Sequence, residues 1–347
     1  MKGKYMKLLN ETLKKISTLD AEAMKKASLH IDSLFKPLKS LGRLEDLAIQ
    51  LAGITKNPFP SVDNKAIIVM SADHGVYEEG IAPDPQSITA IQTPNFAKGL
   101  TGVCALAKQA RADVVIVDIG IAKDIQDHRV INRKIRYGTS NMAKGPAMTR
   151  EEAIKSLEIG IEVTLDQIKN GKKLIGTGEM GIGNTTPSTA IFSVIGGIDP
   201  EEIVGVGAGL PTEKLKHKAA VIRKAIEVNQ PDPKDGIDVL SKIGGFEIGG
   251  MVGTMLGAAA ERIPVVVDGF ISTAAALIAI TIEPKVKDFL IPSHYTAERG
   301  GKVAIELVGL KPMFDMELRL GEGTGAALAF NFIEAATFMV KEMGKRP

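Results

Sequence analysis

"KAIIVMSADHG", residues 65–75, is apolar almost without interruption until it ends in Asp73-His74-Gly75. A strand with one face in water alternates apolar and polar residues. A nearly continuous apolar run suits a strand covered on both faces, as in a parallel sheet. The pattern recurs at "DVVIVDIGIA" from 113, "KKLIGTGEMG" from 172, "EIVGVGAGLP" from 202, "PVVVDGF" from 264 and "DFLIPSHY" from 288. Helical periodicity separates most of these runs. Residues 149–169 open with Thr149 and Glu152 at capping-box spacing and set Ile154, Leu157, Ile161 and Leu165 on one face. Further helices are expected over 95–110, 184–195, 212–228, 236–261, 271–281, 297–308 and 323–343. This alternation predicts the α/β class: a doubly wound, three-layer α/β/α fold with a mostly parallel sheet of about six strands.

The chain ends differ from the middle. Residues 1–55 carry only helical signals, including "LGRLEDLAIQLAG", where Leu41, Leu44, Leu47 and Leu51 share a face. The last helix, "TGAALAFNFIEAATFMVKEMG", is apolar nearly all round and should be buried. The reading is a large Rossmann-like α/β domain over 60–320, with the active site at the strand carboxyl ends. A small helical domain from 1–59 and 321–347 is expected to pack against it.

Composition narrows the function classes. A formal net charge of +2 over 347 residues gives no general attraction to nucleic acid or anionic membrane. With no Trp and 4% aromatic residues, the core must be aliphatic and alanine-rich. Cys104 is the only cysteine, which excludes an intrachain disulfide and a thiolate metal cluster; it reads as a small buried residue. The start, "MKGKYMKLLNETLKK", is basic without an apolar centre, so a cytoplasmic location is expected. The most membrane-like window, 263–282, is split by Asp268-Gly269 into a short strand and a short helix.

Ligands of an open parallel sheet sit beyond the strand carboxyl ends. Those ends carry Asp73-His74-Gly75, Asp118-Gly120, Gly178-Glu179-Gly181, Gly207-Gly209, Asp268-Gly269 and Ser293-His294, so small and polar residues converge on one rim. Gly176-x-Gly178-x-x-Gly181 has the spacing of a dinucleotide turn. Three features oppose that reading. Glu179 inside the loop would repel a diphosphate; the stretch lies halfway along the chain and continues "GNTTP"; and Asp199 falls in a turn instead of at a second strand end. One phosphate and a ribose fit this loop better. A Walker A loop, HExxH, GxSxG, the acidic-pair loop of diphosphate-using phosphoribosyltransferases and a metal-ligand histidine spacing are all absent. In "LRLGEGTGAALAF", Glu322 sits between glycines ahead of the last helix. It reads either as an acidic residue balancing the helix dipole or as a general base on a loop where desolvation strengthens a carboxylate's hold on a proton.

"PLKSLGRLEDLA", "SADHGV", "GEMGIGNTTP", "NQPDPKDGIDVLSKIGGFEIGGMVG", "VVVDGFIS", "LIPSHYTAERG" and "LRLGEGTGAALA" occur in order from about residue 36 to 340. Together they resemble the nicotinate-nucleotide–dimethylbenzimidazole phosphoribosyltransferase family. The resemblance implies transfer of ribose 5-phosphate from nicotinate mononucleotide to 5,6-dimethylbenzimidazole in cobalamin nucleotide-loop synthesis, with inversion at the anomeric carbon. It implies Glu322 as the catalytic base. Glu179 would lie close to the substrates. Met180 and Leu320 would line the dimethylbenzimidazole slot, with Gln92 at its edge. Gly181, Gly183, Asn184 and Thr185 would hold the phosphoribosyl group, and Gly207, Lys218 and Thr296 are further candidates for the phosphate and carboxylate ends. No cofactor or metal is implied, and a homodimer is. Lys218 could instead face solvent on an exposed helix, and Thr296 could cap a helix starting at Ala297. Asp73 and His74 could orient the loop without touching substrate. Two rival functions stay open: an NAD-dependent oxidoreductase, and a benzimidazole or nucleotide binder without turnover.

Overall fold

The computed structural model describes residues 6–346. In chain order the elements are α1 (Lys7–Lys15), α2 (Ala21–Ser33), α3 (Arg43–Thr55), β1 (Lys65–Ala72), α4 (Ser87–Ala97), α5 (Gly102–Gln109), β2 (Ala112–Gly120), β3 (Ile131–Asn132), α6 (Arg150–Lys169), β4 (Leu174–Met180) and α7 (Thr185–Gly196). There follow α8 (Pro200–Ile203), α9 (Leu215–Asn229), α10 (Gly236–Ile243), α11 (Phe246–Ala260), β5 (Val265–Val267), α12 (Phe270–Ile282), β6 (Leu290–Pro292), β7 (His294–Tyr295), α13 (Gly301–Val308), β8 (Phe314–Asp315) and α14 (Thr324–Glu342).

The central sheet has six strands in the order β3-β2-β1-β4-β5-β6, every pairing parallel. β1 is buried along its whole length and sits in the middle, pairing Lys65 with Ala112 on one side and Leu174 on the other. Its side chains alternate between two apolar layers. Ala66, Ile68 and Met70 join the layer built from α6, α7, α11 and α12. Ile67 and Val69 join the layer built from α3, α5 and α14. That two-sided burial is why the run carries no polar alternation. Strand order reverses between β1 and β4, and the carboxyl end of β4 at this switch point borders the cleft.

The first three helices divide between the faces: α2 and α3 pack on each other and on α14, whereas α1 packs on α6 and α11. The last helix buries one face against β4 and β5; contrary to the expectation of burial all round, Phe332 and Phe338 on its other face are exposed. Thr149 and Glu152 form a reciprocal capping box on α6. Asp268-Gly269 divides the apolar window between β5 and α12. Among the described residues no helix is long and apolar enough to cross a membrane.

Several expectations about elements are corrected. Residues 202–211 are not a strand: Pro200 at the helix start and Asp199 Oδ1 accepting from Glu201 N set up α8, and a turn through Gly207 follows. The sixth strand is β3, a two-residue edge pairing on β2. The helix expected over 95–110 is two, because Gly99 at φ 74° turns the chain after α4. The helix expected over 236–261 is also two, broken where Gly244 and Gly245 take extended backbone. The helix expected from 297 begins at Gly301.

Candidate active site

A cleft of about 340 Å³ opens at the carboxyl ends of β4, β5 and β6, within the size range of small-molecule sites. Every residue that the resemblance assigns to the site lies on its wall: Gln92, Glu179, Met180, Gly181, Gly183, Asn184, Thr185, Gly207, Lys218, Thr296, Leu320 and Glu322. Residues 230 positions apart therefore meet at one rim, as the sheet topology requires.

Glu322 is held in a turn of three left-handed residues, Gly321 (φ 81°), Glu322 (φ 63°) and Gly323 (φ 103°). A non-glycine residue in that region is strained unless its surroundings hold it. Asp268 supplies the anchor: its carboxylate accepts from Gly323 N (3.2 Å) and Ala326 N (3.0 Å), capping α14. The Glu322 side chain therefore does not balance the dipole of the helix it precedes. Its Oε2 accepts from Val103 N at 3.0 Å in the first turn of α5, and its Oε1 accepts from Gln92 Nε2 at 2.9 Å. The residue that would normally cap α5, Thr101, makes no side-chain cap, and its buried hydroxyl has no partner among the described residues. A carboxylate 219 residues away has taken its place.

The glycines of the β4 turn have packing roles. A Cβ on Gly176 would lie 3.1 Å from Ala326 and Phe330 of α14, and one on Gly178 would lie 2.3 Å from the Glu322 carbonyl oxygen. A Cβ on Gly181 would meet Ala72 O at 2.6 Å. Their spacing brings α14 and the Glu322 turn onto the backbone of β4.

Beneath this turn, Glu179 is buried, accepting from Glu322 N (3.3 Å) and from Asn184 Nδ2. Burial pushes its carboxyl up to about 8, with nearby Asp268 and Glu247 adding to the effect. Asp268 is also raised by burial, against the pull of His294. Asn184, whose Nδ2 donates to Glu179, makes no side-chain cap on the first turn of α7. In that turn Thr186 N already donates to Gly183 O (3.0 Å) and Pro187 has no N–H, which leaves Thr185 N free among the described residues at the helix start, where an anion is favoured. Gly183, at φ 88°, shapes that turn through backbone freedom.

Lys218 does not face solvent: it is 1% exposed and reaches from α9 to Thr185 Oγ1 (2.8 Å) and the Gly205 carbonyl (3.2 Å). Desolvation lowers its pKa to about 8, against the opposing charge of Glu298. Gly207, in the left-handed region at φ 55°, brings its backbone against Thr185. Thr296 does not cap a helix at Ala297; its hydroxyl donates to Leu318 O (3.3 Å) and tethers the segment before Glu322. Leu320 is 62% exposed at the mouth, and Met180 is half-buried beside it on the cleft wall. Cys104 is half-buried, its thiol donating to Phe96 O.

Asp268, His294, Glu298 and Arg319 also line the cleft and were not among the candidates. Asp268 and His294 were visible as strand-end residues, but the hydrogen bonds that define their roles span the chain. His74 lies outside the lining, buried behind Gly181 and paired with Glu247 at 2.7 Å. Burial is the largest single influence and opposes charging its ring, but Glu247, with Asp73 and Glu179, raises its pKa overall.

A family model described as phosphoribosyltransferase matches residues 16–346. The chain is 63% identical over 339 residues to the nicotinate-nucleotide–dimethylbenzimidazole phosphoribosyltransferase of Alkaliphilus metalliredigens, covering 97% of both chains. Its identity to the protein of that name from Clostridioides difficile is 56% over 338 residues, again 97% of both. The crystal structure of the protein of that name from Thermus thermophilus superposes with a TM-score of 0.89 at 36% identity, covering 94% of this chain and 97% of that one. With the cleft, its buried carboxylates and this likeness along nearly the whole chain, the protein belongs to the nicotinate-nucleotide–dimethylbenzimidazole phosphoribosyltransferase family.

Proposed function

We propose that this protein transfers ribose 5-phosphate from nicotinate mononucleotide to 5,6-dimethylbenzimidazole, giving α-ribazole 5′-phosphate and nicotinate. The observation that carries the mechanism is the Glu322 carboxylate, buried on the cleft wall with both oxygens fixed by Val103 N and Gln92 Nε2.

The acceptor's unprotonated ring nitrogen attacks the anomeric carbon, and the bond to the pyridinium nitrogen breaks with its electron pair returning to nicotinate. That departure neutralises a cation, so it needs no general acid. One direct displacement inverts the anomeric carbon. The azole N–H proton, made acidic as the other nitrogen bonds, passes to Glu322. A positioned base contributes about 10²–10⁴-fold. Holding the two rings and the sugar in line supplies the rest.

Met180 and Leu320 form the apolar walls of the acceptor slot, with Gln92 at its edge. The phosphate sits at the start of α7, against Gly181, Gly183, Asn184 and Thr185, with Lys218 as its counter-charge and Gly207 and Thr296 completing that end. Glu179, held protonated by its surroundings near neutral pH, keeps negative charge away from this anion. The reaction is placed in the cytoplasm, and the protein is taken as a homodimer. Exposed Leu29, Phe35, Leu38 and Phe338, on and beside α2 and α14, are the apolar surface that favours a second copy.

The test is release of nicotinate by the purified protein. It should require nicotinate mononucleotide and dimethylbenzimidazole together. Release from the nucleotide alone, or binding of both without release, would overturn the reading.

A further inference from the structure

His294 follows β6 on the cleft wall and is 6% exposed. Its ring stacks on Phe314, with centroids 5.8 Å apart and planes 16° from parallel. A Cβ on Gly325 would lie 2.0 Å from Nδ1, so the first turn of α14 walls in that edge of the ring. Nδ1 lies 2.8 Å from Ser293 Oγ, and Ser293 Oγ lies 3.0 Å from the Asp268 carbonyl oxygen.

These contacts assign the proton. A carbonyl only accepts, so both contacts are hydrogen bonds together only when the single Ser293 hydroxyl hydrogen goes to Asp268 O. Ser293 Oγ can then only accept from His294, which puts the ring proton on Nδ1. In the neutral ring Nε2 is left as an acceptor. It has no hydrogen-bond partner among the described residues, and its ring borders the cleft.

We propose that His294 Nε2 accepts a hydrogen bond from a ribose hydroxyl of the nucleotide donor, so that the site selects ribosyl over deoxyribosyl substrates. This rests on the phosphoribosyl-transfer reading above. The other groups of those substrates do not match a lone acceptor. Phosphate and the nicotinate carboxylate are acceptors themselves, and the single azole N–H is given to Glu322. Only the sugar hydroxyls remain as donors. Position agrees: β4 leads into the phosphate-binding turn, the Glu322 turn closes the acceptor end, and His294 stands on the wall formed by β5 and β6.

The test compares kcat/KM for nicotinate mononucleotide with its 2′-deoxy and 3′-deoxy analogues in the native protein, His294→Phe and Ser293→Ala. Phenylalanine keeps the stack on Phe314 and removes the acceptor. The intrinsic reactivity of a deoxy sugar cancels when enzymes are compared. For one of the two analogues, His294→Phe should shrink the preference for the ribosyl donor by about tenfold or more, a loss confined to that donor. Ser293→Ala, which frees the ring to take the other tautomer, should shrink it by a smaller factor. A residue with only a structural role would lower activity on all three donors equally. An unchanged preference for both analogues in His294→Phe would overturn the proposal, and if that variant does not fold, the same ratio in Ser293→Ala decides. Failure of the native protein to release nicotinate from the ribosyl donor and dimethylbenzimidazole would instead sink the reaction itself.

Discussion

Gly178→Ala tests whether β4 positions the base. The added Cβ would lie 2.3 Å from the Glu322 carbonyl oxygen and 3.1 Å from Val69 Cγ2. Both neighbours are held: Val69 is in the central strand, and the Glu322 turn is pinned by Asp268 at Gly323 and Ala326. To reach even 3.0 Å, the turn must retreat by about 0.7 Å. Overpacking of this kind costs about 1–3 kcal/mol. Unfolding entropy of ~2.1 cal/mol/K per residue over 347 residues converts that to a Tm loss of about 1–4 °C. The kinetic effect should be larger, since a 1 Å misplacement of a catalytic group can cost ~10²-fold. Steady-state nicotinate release should show kcat reduced by about ten- to a hundredfold, with KM for the mononucleotide changed little. Gly145→Ala is the control, because nothing lies within 4 Å of its Cβ position. Wild-type kcat in Gly178→Ala, at any Tm, would refute the argument that this glycine seats the base.

Three further outcomes follow from the buried groups. Lys218 titrates near pH 8 in the free protein, so KM for the mononucleotide should climb as pH rises above about 8, and Lys218→Met should show a raised KM without that climb. Glu179 has its pKa raised to about 8, so the folded state binds its proton more tightly than the unfolded chain. Its contribution to stability is then full at pH 4 and lost as pH rises toward 8. The Tm of Glu179→Gln relative to wild type should therefore increase between pH 5 and pH 8; a difference flat with pH would contradict the assignment. Thr101→Ala should cost less than about 0.5 kcal/mol in denaturant melts, below the usual loss for an N-cap, because Glu322 caps α5 instead.

What was legible in the sequence follows from how local each signal is. β1, β4, β5 and the buried second half of β2 announced themselves because strands covered on both faces need apolar residues throughout. The run from 202 misled for a related reason: Ile203, Val204 and Leu210 are buried, but Pro200 and Asp199 set a helical turn that composition alone does not separate from a strand. β3, at two residues, is too short to leave any pattern. The location of the site was readable because glycines and carboxylates cluster at strand ends. Its internal wiring was not. Lys218 has Lys216 and His217 beside it and looks solvent-facing, yet its own position on α9 turns inward to Thr185. The caps that Asp268 gives to α14 and Glu322 gives to α5 join residues 55 and 219 positions apart, and no local spacing encodes them.

The most direct measurement is the rate of nicotinate release by Glu322→Gln with both substrates saturating. Glutamine keeps the size and the acceptor oxygen but cannot take a proton at neutral pH. The mechanism predicts a kcat lower by about 10²–10⁴-fold, with the mononucleotide still raising the Tm. Turnover at the wild-type rate would mean that the azole proton leaves by another route and that Glu322 is not the base.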